Sequence, residues 1–124
     1  MGLRPFVKVD CHSVVADWLF DTGADCSVMS EALFERIPPP ARPPPMPVTG
    51  TLNSAAKTQL EVKGVYSMSL KVMGRPVTTP VYVCANLNQQ GLLGMDAIMQ
   101  LGLSFNPVSR RFDFNVSAVA ARGA

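Results

Sequence analysis

Charge is what this chain has least of. Only 16% of its 124 residues are Asp, Glu, Lys or Arg, against about 25% in an ordinary soluble domain. The 11 basic and 9 acidic side chains are scattered singly, for a net charge of +2. That excludes a polybasic nucleic-acid arm and an acidic disordered tail. Histidine occurs once, at His12, and cysteine three times, at Cys11, Cys26 and Cys84, with no C-x-x-C. Such a set lacks the paired spacing of a zinc site and is too sparse for a disulfide framework. No apolar run approaches the roughly 20 residues of a membrane-spanning helix, and no charged-then-apolar leader is visible. The expectations are therefore no metal, no cofactor, no nucleic acid and no membrane, in a reducing intracellular compartment rather than a secreted one.

What is present is apolar surface and punctuation. Apolar residues make up 48% of the chain, enough for one packed domain over 1–124 with a patternless, frayed tail at 118–124. High apolar content with so little charge also points to surface hidden in an oligomer. Seven of the 11 prolines fall between Pro38 and Pro47. That stretch is expected to run as an exposed polyproline II connector, an SH3-type ligand being the second reading.

Strand signals dominate. From Gln59 to Val72, Leu60, Val62, Tyr66, Met68, Leu70 and Val72 share one parity and polar residues take the other, with a bend expected at Gly64. A hairpin turn at Met73-Gly74-Arg75-Pro76 leads into a return strand from Val77 to Val83, where Pro80 demands an edge or irregular position. Phe6–Val9 and Val14–Phe20 form a second hairpin, and Phe112, Phe114 and Val116 alternate after a turn at 106–109. Only two short helices are predicted. One starts at the N-cap Ser30; the other, from Met95 to Leu101, is capped by Asp96 and stopped by Gly102. The fold class is all-β, a small closed barrel or sandwich with one or two short helices.

Directly after the apolar strand ending at Phe20 comes Asp21-Thr22-Gly23-Ala24-Asp25. The strand delivers a carboxylate to the mouth of the core, Thr22 can turn its hydroxyl inward to backbone, and Gly23 lets the loop turn sharply. The plain alternative is an Asx turn closing a strand.

Leu19 to Asp25 resembles the signature of the retropepsins, the aspartic proteases of retroviruses and LTR retrotransposons. Their second signature is matched by Leu92-Leu93-Gly94-Met95-Asp96 followed by a helix, and Arg4-Pro5-Phe6-Val7 stands where the family's N-terminus would. The resemblance covers Arg4 to about Asn106. It implies a closed β-barrel acid-protease lobe, one per subunit of a homodimer, and an aspartic endopeptidase that needs no metal or cofactor. It implies cleavage of a polyprotein, in cytoplasm or in a virion or virus-like particle. Asp21 would pair with its symmetry mate, two carboxylates about 3 Å apart sharing one proton, as the family's dyads are known to do. Thr22 resembles the threonine that bonds across the dimer, and Gly23 the glycine whose carbonyl receives substrate, with Ala24 supporting the loop. Asp25 would contact substrate backbone and pair with Arg4 of the other subunit. Residues 47–56, including Thr49, Gly50, Thr51, Leu52 and Asn53, would form the flap, with Gly50 and Asn53-Ser54 supplying its turn.

Several positions depart from the familiar pattern. Met95 replaces a basic residue, so Asp25 must find another partner, and Cys26 is expected to be a buried, inert thiol. Residues 107–124 extend past the compact retroviral end, where related domains have a hairpin. The alternative function is a domesticated retropepsin-like dimerisation or protein-binding module with little or no turnover.

Overall fold

The computed structural model describes residues 5–47, 52–53 and 59–114. Strands β1 (Phe6–Cys11) and β2 (Val14–Phe20) form the first hairpin, with Phe6 opposite Leu19 and Cys11 opposite Val14. Its tight turn places His12 and Ser13 in the left-handed region, and Ser13 donates its N–H to Asp10 Oδ1 at 2.8 Å. Strand β3 (Ser27–Ser30) runs into helix α1 (Glu31–Glu35), whose first turn is capped as expected, Leu33 N–H donating to Ser30 Oγ.

Next come β4 (Pro45–Met46), β5 (Leu52–Asn53), β6 (Gln59–Leu60) and the long β7 (Val62–Val72). The register shifts between Val62 and Gly64, where the alternating pattern called for a bend. Strand β8 (Arg75–Cys84) pairs with β7 along its full length. Pro80 lies one residue before β3 joins β8 at Val81, so it occupies a stretch open on that side. Strand β9 (Gly91–Leu93), helix α2 (Met95–Leu101) and the hairpin β10 (Leu103–Asn106) with β11 (Arg111–Phe114) complete the order. Gly102, at φ 64°, closes α2 in the left-handed conformation predicted for it.

The main sheet runs β1-β2-β9-β3-β8-β7 and closes through a β1–β7 pairing, which makes a six-stranded barrel with β4 added beside β1 on the same edge of β7. Trp18, Met29, Met68, Leu70 and Leu93 fill its interior. The β10–β11 hairpin docks outside it, where Phe112 meets Phe20 edge-on at 5.3 Å and Arg75 lies 4.2 Å over the Phe114 ring. Val116 and the 118–124 tail lie outside the described residues.

The proline-rich stretch is exposed at Pro38–Pro40 but is not a continuous polyproline II rod. Pro39–Ala41 form a 3₁₀ turn, and Pro45–Met46 pair with Tyr66 and Val65. The locked φ of proline suits either geometry, so tertiary contacts decide. Arg42 decides here: its Nε donates to Ile37 O at 2.9 Å, its Nη2 to Glu35 O, and its guanidinium covers Phe34, which stacks on Tyr66.

One glycine sits against the barrel's single tryptophan. A Cβ on Gly91 would lie 2.3 Å from the Trp18 ring, which is itself fully buried. Gly91→Ala is expected to destabilise the fold by about 1–3 kcal/mol, as overpacking does. Urea melts followed by tryptophan fluorescence measure it, with a changed native emission because Trp18 is the only reporter.

Candidate active site

The topology forces two loops to cross. Strands β2 and β3 are consecutive in the chain but lie on either side of β9, parallel to one and antiparallel to the other. Residues 21–26, which join them, must therefore pass over the end of β9, where Gly94 leads into α2. No side chain fits at that crossing. A Cβ on Gly94 would stand 2.4 Å from the Cys26 carbonyl oxygen and 3.0 Å from that of Ala24.

Backbone hydrogen bonds stitch the crossing together. Asp21 N–H donates to Leu93 O at 3.0 Å, Met95 N–H to Ala24 O at 2.7 Å and Asp96 N–H to Asp25 O at 3.1 Å. Asp21 itself is half-buried at the top of β2, and its Oδ1 accepts the Gly23 N–H at 3.0 Å. The Asx turn is thus present, but within a crossing that an ordinary strand end lacks. Thr22 and Gly23 are exposed at the loop's apex, with Ala24 half-buried behind them. Among the described residues no hydrogen bond from the Thr22 side chain to neighbouring backbone is found, and the residue is exposed. Asp25 is exposed, and no cation pairs with it among the described residues.

The second signature meets the first at this crossing, and one of its residues does a job other than the expected one. Asp96 does not cap α2; it lies inside the first turn, behind Gly94. Its carboxylate accepts the Ala97 N–H of that turn and also reaches across to Ser27 and Thr79. Neither residue was singled out from sequence, yet Thr79 carried a signal. It shares the buried parity of Val77, Val81 and Val83, and a hydroxyl on an apolar face needs a partner. Met95 leaves the loop and packs against the main core.

A small apolar cluster adjoins the loop. Leu19 and Leu92, flanking the crossing, pack with Val28, Cys84 and Leu60, and Val62, Tyr82 and Leu87 border them. Leu60 belongs to β6, which pairs with β5 through Leu52–Leu60 and Asn53–Gln59. A hairpin therefore stands where the flap was expected, and its connection follows Asn53, on the side of the expected Asn53-Ser54 turn. Thr49, Gly50, Thr51 and Arg4 lie outside the described residues.

No group of three or more His, Cys, Asp or Glu is placed to hold a metal among the described residues. The cysteines are all free. Burial pushes the Cys11 thiol up to about 12, helped by Asp10, and Cys84 up to about 11. Cys26 is half-buried rather than buried, and desolvation followed by Asp96 and Asp25 raises its pKa too. Raised values mean little thiolate at neutral pH. Native protein treated with iodoacetamide at about pH 8 is expected to alkylate slowly at Cys26 only, and at all three cysteines once denatured. Peptide mass mapping reads the order.

Residues 7–97 match the sequence pattern of the family described as aspartyl protease. Among solved structures the chain is similar to EIAV protease complexed with the inhibitor HBY-793, with a TM-score of 0.70 and 25% identity, covering 86% of this chain and 95% of that one. It is also similar to the retroviral protease-like domain of Ddi1 from Leishmania major, with a TM-score of 0.67 and 15% identity over 92% and 89% of the two chains. No curated protein matches.

Proposed function

This chain belongs to the aspartyl protease family and has a retropepsin-type fold, and from that premise we propose that it is an aspartic endopeptidase active as a homodimer. The observation that carries this is Asp21, held by backbone bonds on a loop whose apex, Thr22-Gly23, faces outward. One such acid per chain lacks the second carboxylate the chemistry needs, and a two-fold axis beside an exposed loop supplies it.

In the dimer the two Asp21 carboxyls share one proton, since like charges this close do not both ionise. The ionised member takes a proton from the water between them as the water oxygen attacks the scissile carbonyl carbon. The protonated member, the partner subunit's Asp21, donates a hydrogen bond to the carbonyl oxygen. A tetrahedral gem-diol results. Transfer of a proton to the amide nitrogen then breaks the C–N bond and releases two peptides. Thr22 braces the paired loops across the axis, and the Gly23 carbonyl and Asp25 bind substrate backbone. The chain at Pro5 is tied to Phe20, whose N–H donates to Pro5 O at 2.9 Å. An Arg4–Asp25 bridge between subunits is part of this reading.

The substrate is an extended peptide, bound as an added strand between hairpin and floor and read through alternate side chains. Apolar residues beside the cut, in a polyprotein that includes the enzyme's own flanks, are part of this reading. An apolar peptide library should be cleaved at about pH 4–6.5, and a statine-type mimic should raise the melting temperature. Dimerisation with neither cleavage nor mimic binding would overturn the reading in favour of a protein-binding module.

A further inference from the structure

The side chain that does most at the loop crossing is one with no place in the chemistry above. Asp96 Oδ1 accepts from Ser27 Oγ and from Ala97 N–H, both at 2.7 Å. Its Oδ2 accepts from Ser27 N–H at 3.2 Å and from Thr79 Oγ1 at 3.1 Å. Ser27 spends its one hydroxyl hydrogen on Asp96, which leaves its oxygen to accept Gly94 N–H at 3.0 Å. Ser27 is fully buried and Thr79 nearly so, so neither has water to fall back on.

We propose that Asp96 is the positioning residue of the Asp21–Asp25 loop, its carboxylate fixing where the loop re-enters the barrel and so where Asp21 stands relative to its symmetry mate. Three pieces of chain converge on the one side chain: the loop's exit at Ser27, the end of β9 at Gly94 through the Ser27 hydroxyl, and the barrel wall at Thr79. The main chain of the same residue holds the Asp25 carbonyl. The loop's entry is fixed separately, by Asp21 N–H on Leu93. Loss of the Asp96 carboxylate therefore loosens the loop's exit, leaving the Met95–Ala24 and Asp96–Asp25 main-chain bonds to hold it, and leaves the entry tied.

The donor set specifies a carboxylate and not an amide. Both oxygens face a backbone N–H, Ala97 on one side and Ser27 on the other. An asparagine would set its NH₂ against one of them in either orientation. A hydroxyl can reverse its bond; a backbone N–H cannot. Asp96→Asn is nearly the same size and shape, so its effect reports the lost acceptor and not a packing defect.

The proposal rests on the protease reading for its kinetic consequence, and the two can fail separately. Two loops must bring their acids together, and misplacement of a reacting group by about 1 Å costs on the order of 100-fold. Asp96→Asn is expected to lower kcat by about 10- to 100-fold with KM little changed, and Thr79→Val by less, since it removes one donor of four. Amide hydrogen exchange should speed up at Gly94, Met95, Asp96 and Ser27 while the β1 and β7 amides stay protected. Wild-type kcat in both variants, or activity lost only in proportion to unfolded or undimerised protein, overturns the proposal. If wild type cleaves nothing, the protease reading fails and exchange decides alone: local deprotection supports the positioning role, and an unchanged or barrel-wide pattern refutes it. Should Asp96→Asn not fold, Thr79→Val carries the same two measurements.

Discussion

Asp21→Asn is expected to leave a folded dimer that cleaves at least about 1,000-fold more slowly than wild type. The side chain contributes little to the fold. It is half-buried, and its one hydrogen bond among the described residues, from Gly23 N–H, can be accepted as well by an amide oxygen. Stability should therefore stay within about 0.5 kcal/mol of wild type. The chemistry has no such substitute. An amide neither takes a proton from water nor shares one with a neighbour, so both halves of the dyad lose their function together. Circular dichroism and sedimentation with a cleavage assay separate these effects. Retained turnover would remove Asp21 from the mechanism, and a collapsed fold would make it structural.

The second large effect is expected at Gly94. A methyl group there would stand 2.4 Å from the Cys26 oxygen and 2.5 Å from its carbonyl carbon. These are backbone atoms of the loop that carries Asp21, so no rotamer change relieves the clash. Either the loop rises or the end of β9 withdraws, and each breaks the bonds through Ala24 and Asp25 that hold the crossing. Gly94→Ala should cost about 1–3 kcal/mol and, because the displaced segment carries Asp21, at least about 100-fold in turnover. Gly91→Ala provides the contrast, since its methyl meets a tryptophan ring and not the loop. Similar destabilisation in the two, with turnover lost only at Gly94, is the expected pattern. Equal turnover would show that the crossing does not position the acid.

Much of this was legible in the chain because strand periodicity is a local signal. The alternation from Gln59 to Val72, the turn at Met73-Gly74, the Ser30 cap and the Gly102 stop all depend on residues within a few positions of one another. Both family signatures were legible for the same reason, and the crossing then brings them together. What sequence concealed was tertiary. An acid in the first turn of a short helix looks like its cap, whereas Asp96, besides taking the adjacent Ala97 N–H, has partners 69 residues away at Ser27 and 17 away at Thr79. The proline stretch conceals its form because a locked φ suits both polyproline II and a 3₁₀ turn, and only the reach of Arg42 to Ile37 and Glu35 selects the latter. The flap's turn has two local candidates, since Gly50 and Asn53-Ser54 are both turn residues by type, and only the strand pairing of Asn53 with Gln59 sets the connection after Asn53.

The central claim is that one Asp21 per chain is inert until a second chain supplies another. Cleavage rate per subunit, followed across protein concentration with mass photometry on the same samples, tests it most directly. The account predicts that the specific rate falls with the dimer fraction and vanishes in monomer. A specific rate that stays constant through complete dissociation would contradict it.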